Sequence, residues 1–285
     1  MTIDYDKLKA WDFGDHVATW TWEDSALYAL SVGLGFDPVD ANELRFTYEK
    51  DMLALPTMAV VMAPSGFWLR DPETGVDWKR VVHGEEGVTL HRPLPAEARI
   101  VARSRIDEII DKGEGRGALI YISREVRDAD TEELYATITR TTFCRGDGGF
   151  GGLGGPVRPV HTLPKREPDH VCDLPTLPQQ ALIYRLNGDG NPLHADPDVA
   201  REAGFDRPIL HGLCTFGVAG HAVLKTLCDY DPGRLIRFDV RFSAPVFPGE
   251  TIRTEMWQDG SEVSFRARVL ERDAVVLNNG LAVVT

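Results

Sequence analysis

The sequence has few cysteines and no motif that binds a metal by itself. Its four cysteines show no CxxC spacing. Two of them, Cys214 and Cys228, fall in one apolar stretch, which indicates buried thiols rather than disulfides or a zinc site. The eight histidines form no HExxH or HxH pattern. We therefore predict that the protein holds no metal.

Basic residues are also scarce, with 31 lysines and arginines against 44 acidic residues and a net charge of −13. This charge disfavours nucleic acid as a partner. No stretch predicts a membrane-spanning helix, and the first residues lack the basic start and apolar run of a signal peptide. The last residues, Ala-Val-Val-Thr, differ from a peroxisomal Ser-Lys-Leu signal. We expect a cytoplasmic protein that binds neither nucleic acid nor membrane.

A glycine-rich segment divides the chain. Residues 145–160 contain seven glycines and two prolines, a composition typical of a linker. A phosphate-cradling loop is the alternative, but there is no Gly-Lys-Ser or Gly-Lys-Thr and no strand that leads into a helix. At 285 residues the chain is long enough for about two domains. We predict an N-terminal unit over 1–144 and a C-terminal unit over 161–285.

Both units show the same succession of elements. In the first, Thr21 is a suitable N-cap for a helix that Gly33 and Gly35 would end. In the second, an apolar helix is predicted over 213–228. Polar and apolar residues alternate, as in half-buried strands, over 88–91, 99–109, 117–127 and 134–143, and again over 236–242, 251–257, 262–269, 275–277 and 281–284.

A short internal repeat supports two copies of one unit. Residues 244–252, Ala-Pro-Val-Phe-Pro-Gly-Glu-Thr-Ile, resemble residues 92–100, Arg-Pro-Leu-Pro-Ala-Glu-Ala-Arg-Ile, with a one-residue slip. Each copy has a helix followed by antiparallel strands. The predicted fold is an α+β double hotdog, with two long helices that are each wrapped by an antiparallel β-sheet.

The second unit carries a loop rich in chemical groups. Asp189, Asn191 and His194 lie within six residues among glycine and proline. A plain surface turn has a similar composition, but this loop lies between two apolar segments. A carboxylate and an imidazole at one centre can activate a water molecule and transfer its proton, and Asn191 could orient either the water or His194. The N–H of Gly212, at the predicted helix start, could stabilise an oxyanion on a thioester carbonyl.

These residues carry a family resemblance. The pattern Tyr-x-Leu-x-Gly-Asp-x-Asn-Pro-Leu-His, followed by Ala-Gly-Phe-x-x-Pro-Ile-Leu-His-Gly-Leu-Cys-Thr-Phe-Gly, resembles the MaoC-like (R)-specific enoyl-CoA hydratase 2 family. The resemblance implies hydration of a trans-2-enoyl-CoA to a (3R)-3-hydroxyacyl-CoA. It implies Asp189 and His194 as the acid–base pair, Asn191 as an orienting residue and Gly212 as the oxyanion donor. Coenzyme A is then part of the substrate, no cofactor is needed, and a homodimer is expected.

The same resemblance places four further residues among the contacts to the acyl-CoA: His83, Gly84, Lys112 and Phe242. Three of them have a simpler interpretation. His83 could be a structural histidine, Lys112 a solvated charge in a turn, and Phe242 a core residue on an alternating strand. A basic residue such as Lys112 is nevertheless what an acidic protein needs near the phosphates of coenzyme A.

Other activities remain open at this point. The hotdog could be an acyl-CoA thioesterase or a binding module without turnover. Within the hydratase class, the substrate could be a branched, dicarboxylic or steroid side-chain enoyl-CoA, and extra arginines or a large pocket volume would indicate such a substrate. Cys214 lies near the motif and could be a nucleophile, but a thiol with apolar helix neighbours is more typical of packing.

Overall fold

A computed structural model of the chain describes residues 2–152 and 154–285. Met1 of the predicted first unit and Leu153 of the predicted linker lie outside the described residues. The helices are α1 Tyr5–Lys9, α2 Trp22–Ser31, α3 Ala41–Leu44, α4 Gln180–Tyr184, α5 Pro197–Glu202 and α6 Gly212–Leu227. The strands are β1 Asp15–Trp20, β2 Val81–Leu90, β3 Ala98–Asp111, β4 Ala118–Asp128, β5 Leu134–Cys144, β6 His170–Pro175, β7 Leu235–Phe242, β8 Thr251–Asp259, β9 Glu262–Val269 and β10 Ala274–Val284.

The ten strands form one antiparallel sheet in the order β1-β3-β4-β5-β2-β7-β10-β9-β8-β6. Read outward from the central pair β2 and β7, the two halves have the same succession of strands. The repeated corners, 92–100 and 244–252, lead in each half from the central strand to the strand three places farther out, β3 or β8. The structure therefore confirms the repeated double-hotdog unit.

The half-sheets of the two hotdog units are continuous with each other. They join through β2 and β7, which pair from Glu85 opposite Arg241 to Thr89 opposite Arg237. This pairing closes an edge that each half would otherwise expose, and among the described strands it leaves β1 and β6 as the outer edges. The sequence pattern did not predict these two strands, which are six residues long and half exposed.

The long helix of the second half is confirmed. It was predicted over 213–228 and is observed as α6, and nearly all of its central residues are buried. Two glycines let the first half approach it closely. A Cβ at Gly217 would lie 2.5 Å from Val32 Cγ1, and one at Gly220 would lie 2.4 Å from Thr57 Cγ2. Larger residues at these positions would push the two halves apart.

The helix of the first half begins as predicted but is not long. Thr21 caps α2 in a capping box with Asp24. The helix ends after ten residues, just before Gly33, whose φ is +90°. A 3₁₀ segment, Pro56–Val61, packs next on α6, β2 and β5. The first half therefore lacks the counterpart of most of α6, since glycine ends its helix early.

The linker segment has no regular secondary structure in its described part but is bound to both halves. The carboxylate of Asp111 accepts from the backbone N–H groups of Gly149 and Gly151. The guanidinium of Arg158 lies 4.2 Å from the centre of the Tyr121 ring. Farther on, the side-chain amide of Asn279 donates to the carbonyl oxygen of His161. These contacts hold the segment against the sheet.

A buried histidine joins α6 to the first half and makes stability depend on pH. His221 is fully buried, and its Nδ1 donates to the carbonyl oxygen of Val32 at 3.4 Å. Burial lowers its pKa from the ordinary 6.5 to about 4. Between these values the unfolded chain binds a proton that folded His221 does not. We therefore expect the free energy of unfolding to be highest above pH 6.5. It should decrease as the pH drops toward 4, by on the order of 3 kcal/mol from this group.

Urea unfolding at a series of pH values tests this expectation. The slope of the unfolding free energy against pH gives the number of protons taken up on unfolding. Between pH 6.5 and 4, this number should be smaller by close to one for His221→Asn than for the wild type. Equal slopes for the two proteins would contradict the assignment.

Among the described residues no helix has both the length and the apolar character needed to cross a membrane.

Candidate active site

The loop between α4 and α5 is built from local hydrogen bonds. Gly188 takes φ +100°, which turns the chain into Asp189. One carboxylate oxygen of Asp189 accepts from the N–H of Asn191 at 3.1 Å. The amide oxygen of Asn191 accepts in turn from the N–H of Leu193 at 3.2 Å and caps the turn Pro192–His194. Asn191 thus shapes the loop, while its role toward water or His194 stays a prediction.

His194 is held in one tautomer. It is buried, and its Nδ1 lies 2.8 Å from the carbonyl oxygen of Ile209. Because a carbonyl oxygen only accepts, Nδ1 carries the proton and Nε2 keeps a free lone pair. Burial lowers the pKa of His194 below its ordinary value, so the ring is neutral at pH 7. A neutral imidazole with a free Nε2 can accept a proton from water.

A second histidine, which the sequence analysis did not single out, supports the first. The ring of His211 stacks on that of His194 with centroids 3.8 Å apart. Its Nε2 lies 3.3 Å from the carbonyl oxygen of Asp189, and its buried Nδ1 has no partner among the described residues. Burial and the neighbouring imidazole lower the pKa of His211 to about 4. Its position directly before Gly212 in the helix-start motif was the available signal.

Asp189, His194 and His211 form one cluster. Potential ligand atoms of the three side chains lie within 4.8 Å of one another. A carboxylate and two imidazoles can in principle hold a divalent metal, so this is where a metal would bind among the described residues. The same atoms suit proton transfer without a metal. The prediction that the protein needs no metal remains a prediction.

Gly212 stands at the first position of α6, next to this cluster. The helix has no side-chain cap, and Gly212 is exposed, so its N–H is free to donate. The Phe242 ring packs against it, since a Cβ on Gly212 would lie 3.2 Å from Phe242 Cε1. The same ring lies 4.7 Å from that of His83, centroid to centroid. Three residues that were predicted separately thus form one wall of the site.

A β-bulge aims His83 into the site. The register of β2 against β5 shifts between His83 and Glu85, at Gly84. The bulge places His83 and Glu86 on the same face of the sheet, where His83 Nε2 donates to Glu86 Oε2 at 2.7 Å. A Cβ at Gly84 would lie only 3.2 Å from the carbonyl oxygen of Thr141. Gly84 therefore has a structural reason to lack a side chain.

Lys112 lies apart from the acid–base cluster. It follows β3, and its Nζ stands 4.7 Å from the centre of the Phe143 ring. Phe143 pairs with Val82, the neighbour of His83 in β2. Among the described residues Lys112 forms no ion pair. This position is compatible with a contact at the outer end of a long ligand, and that role stays a prediction.

Cys214 is poorly suited to act as a nucleophile. It is fully buried in α6, and its thiol donates to the carbonyl oxygen of Ser31. Burial raises the pKa of Cys214 well above its ordinary value, so the thiol stays protonated. The interpretation of this residue as packing is thereby favoured.

A buried ion pair beside the site was also missed by the sequence analysis. Glu86 accepts from Arg140 through both carboxylate oxygens, at 2.9 and 3.1 Å. Burial alone would raise the pKa of Glu86, but Arg140 and His83 outweigh it and hold the pKa at about 2. The sequence contained an indication that Arg140 points inward, because it takes the next position after Ala136 and Ile138 on the buried side of an alternating strand.

Comparisons with known proteins agree with this geometry. Residues 159–279 match the MaoC like domain, and residues 19–146 match the MFE-2 hydratase 2 N-terminal domain. The 3-hydroxyacyl-thioester dehydratase Y of Mycobacterium tuberculosis is 40% identical over 271 residues, covering 92% of this chain and 91% of that protein. The peroxisomal enoyl-CoA hydratase 2 of Arabidopsis thaliana is 38% identical over 275 residues, covering 91% of this chain and 88% of that protein.

Solved structures show the same fold. The crystal structure of a MaoC-like dehydratase from Phytophthora capsici superposes with a TM-score of 0.86 at 35% identity and covers 98% of both chains. The matches extend over both halves of the sheet and over the loop that carries Asp189 and His194. The chain belongs to the MaoC-like hydratase 2 family, and it is an enzyme of the hydro-lyase class.

Proposed function

We propose that the chain adds water across the double bond of a trans-2-enoyl-CoA to give a (3R)-3-hydroxyacyl-CoA, and that it catalyses the reverse dehydration. The observation that carries the proposal is the juxtaposition of three features. A carboxylate and the free Nε2 of a neutral histidine face one centre, beside an unpaired helix N–H. The (3R) configuration is proposed from the resemblance to the family alone.

In the proposed reaction, water lies between the Asp189 carboxylate and His194 Nε2. The pair takes a proton from the water as its oxygen bonds to C3 of the enoyl group. The electrons of the double bond move toward the thioester oxygen, where the N–H of Gly212 and the positive end of the α6 dipole stabilise the developing charge. The pair then returns a proton to C2, so that one water is added and no covalent enzyme intermediate forms.

The test follows the loss of enoyl absorbance with crotonyl-CoA and with a longer trans-2-enoyl-CoA. An (R)-specific reductase coupled to the product checks its configuration. Turnover with an (R) product is expected. Release of free CoA thiol without loss of the enoyl group would instead show a thioesterase, and binding without either reaction would show an acyl-CoA binding module.

Gly212 offers a sharp test of the oxyanion donor. Gly212→Ala keeps the N–H, but its new methyl group meets the Phe242 ring and narrows the approach to the helix start. We expect kcat/KM for crotonyl-CoA to fall by ~10²-fold, because small displacements at a reacting centre are costly. The protein should still fold, since alanine suits a helix better than glycine and this offsets part of the cost of the contact with Phe242.

Gly190→Ala is the matched control, because a Cβ at Gly190 meets no atom within 4 Å. It should leave kcat/KM within a factor of two or so of the wild-type value. Equal activity of Gly212→Ala and Gly190→Ala would argue against a thioester seated at the start of α6.

A further inference from the structure

The face of the sheet that carries His83 also carries charged residues, although the adjacent residues on that face are apolar. In β4, Arg124 stands between Ile122 and Val126 in the inward alternation, and all three are buried. Arg140 of β5 is opposite Glu86 of β2 and opposite Ile122 of β4. Arg124 is therefore the next charged residue on the inward face after Arg140. It lies on the neighbouring strand, farther from α6, two residues after the partner of Arg140.

The two arginines differ in how they are neutralised. Glu86 accepts hydrogen bonds from Arg140 through both of its carboxylate oxygens and also accepts one from His83 Nε2. Arg124 has no carboxylate of its own among the described residues. Its Nη2 donates to the carbonyl oxygens of Ala59 and Val60 at 3.2 and 2.7 Å, which are neutral groups.

Arg124 is nevertheless nearly fully removed from solvent, with 6% of its surface exposed. Its Nε is buried without a hydrogen-bond partner in the described part of the chain. Burial lowers its pKa only to about 10, so the side chain is charged at neutral pH. A buried guanidinium is normally paired with an anion, since removing a charge from water is otherwise unfavourable. The Glu86 carboxylate, which pairs with Arg140, also acts on the charge of Arg124, but the Nε of Arg124 has no hydrogen-bond partner of its own among the described residues.

Two residues that lie between the acid–base cluster and Arg124 keep accessible surface. His83 and Arg140 lie at the middle of the sheet, yet 30% and 33% of their side-chain surfaces stay accessible. His83 touches the wall formed by Phe242 and Gly212, where the thioester is proposed to lie. The accessible surface of His83 and Arg140 therefore lies between the proposed position of the thioester and Arg124.

We propose that Arg124, assisted by Arg140, binds a carboxylate on the far end of the acyl chain, so that the preferred substrate is an enoyl-CoA whose acyl group ends in a carboxylate. This proposal rests on the proposed hydratase function and specifies its substrate class. A carboxylate matches the planar donor fork of a guanidinium and can use the donors that Arg124 leaves unpaired. An alkyl chain end at the same place would leave the charge unpaired.

The experiment compares trans-2-enoyl-CoA esters with and without a terminal carboxylate, over a series of matched chain lengths, on the wild-type enzyme. We expect the carboxylate ester of the fitting length to be favoured by at least ~10-fold in kcat/KM. Arg124→Met should reduce this ratio to near one, and Arg124→Lys should restore part of it. Arg127→Met, on the opposite face of β4, is the matched control and should keep the wild-type ratio.

The outcomes separate this proposal from the function on which it rests. Hydration of the uncharged esters at an equal or higher kcat/KM at every length would overturn the carboxylate site and leave the hydratase standing. Hydration of neither series would overturn the hydratase and this proposal with it. If Arg124→Met does not fold, the wild-type ratio alone decides, because it requires no variant.

Discussion

Replacing Asp189 by asparagine is expected to lower the rate of enoyl-CoA hydration by about 10³-fold, and His194→Ala should have a similar effect. Asparagine keeps the oxygen that accepts from the N–H of Asn191, so the loop should survive. It removes the charge and the ability to take a proton. His194→Ala removes the free Nε2 and leaves the carbonyl oxygen of Ile209 without its donor.

Initial rates with crotonyl-CoA, together with circular dichroism to confirm folding, measure this effect. Asp198→Asn is the control, since this carboxylate lies in the same region but its side chain is 81% exposed. It should keep the wild-type rate. The double variant Asp189→Asn/His194→Ala should lose little more than either single variant, because residues that act as a unit are not additive. A rate within a factor of ten or so of the wild-type value for Asp189→Asn would refute the acid–base assignment.

The second large effect is expected on stability. Glu86→Ala removes the carboxylate that pairs with Arg140 and accepts from His83, and it leaves Arg140 in the sheet without a counter-charge. Breaking such a pair on one side costs about 3 to 5 kcal/mol when both groups are buried. Because a third of the Arg140 side chain stays accessible, we expect the lower end of this range.

Urea unfolding measures the difference. Glu85→Ala is the neighbouring control, since Glu85 faces the other side of the sheet and has one hydrogen bond, from Thr141. Its loss should cost about 1 kcal/mol. Adding Arg140→Met to Glu86→Ala should recover much of the lost stability, since the unpaired charge is then gone. A loss below about 1 kcal/mol for Glu86→Ala would show that solvent screens this pair.

Much of the fold was predictable from local patterns. The alternation over 99–109 or 262–269 and the apolar run of α6 depend on neighbouring residues, whose period is visible in the chain. The capping of α2 by Thr21 is equally local. The pairing of β2 with β7 was not predictable in this way. It joins residues far apart in the chain, and both strands show the same alternation whether they are edges or neighbours.

In the candidate site, the motif alone predicted Asp189, His194 and Gly212, because their chemistry is concentrated in two short segments. The tertiary structure decided how His194 is oriented, since the carbonyl of Ile209 comes from another loop. The bulge at Gly84 decided that His83 and Glu86 share a face, which their spacing in a regular strand would forbid. Strand register decided that Arg140 and Arg124 stand on that same face. Short-range spacing sets what chemistry the chain carries, whereas register and bulges between distant strands set what surrounds it.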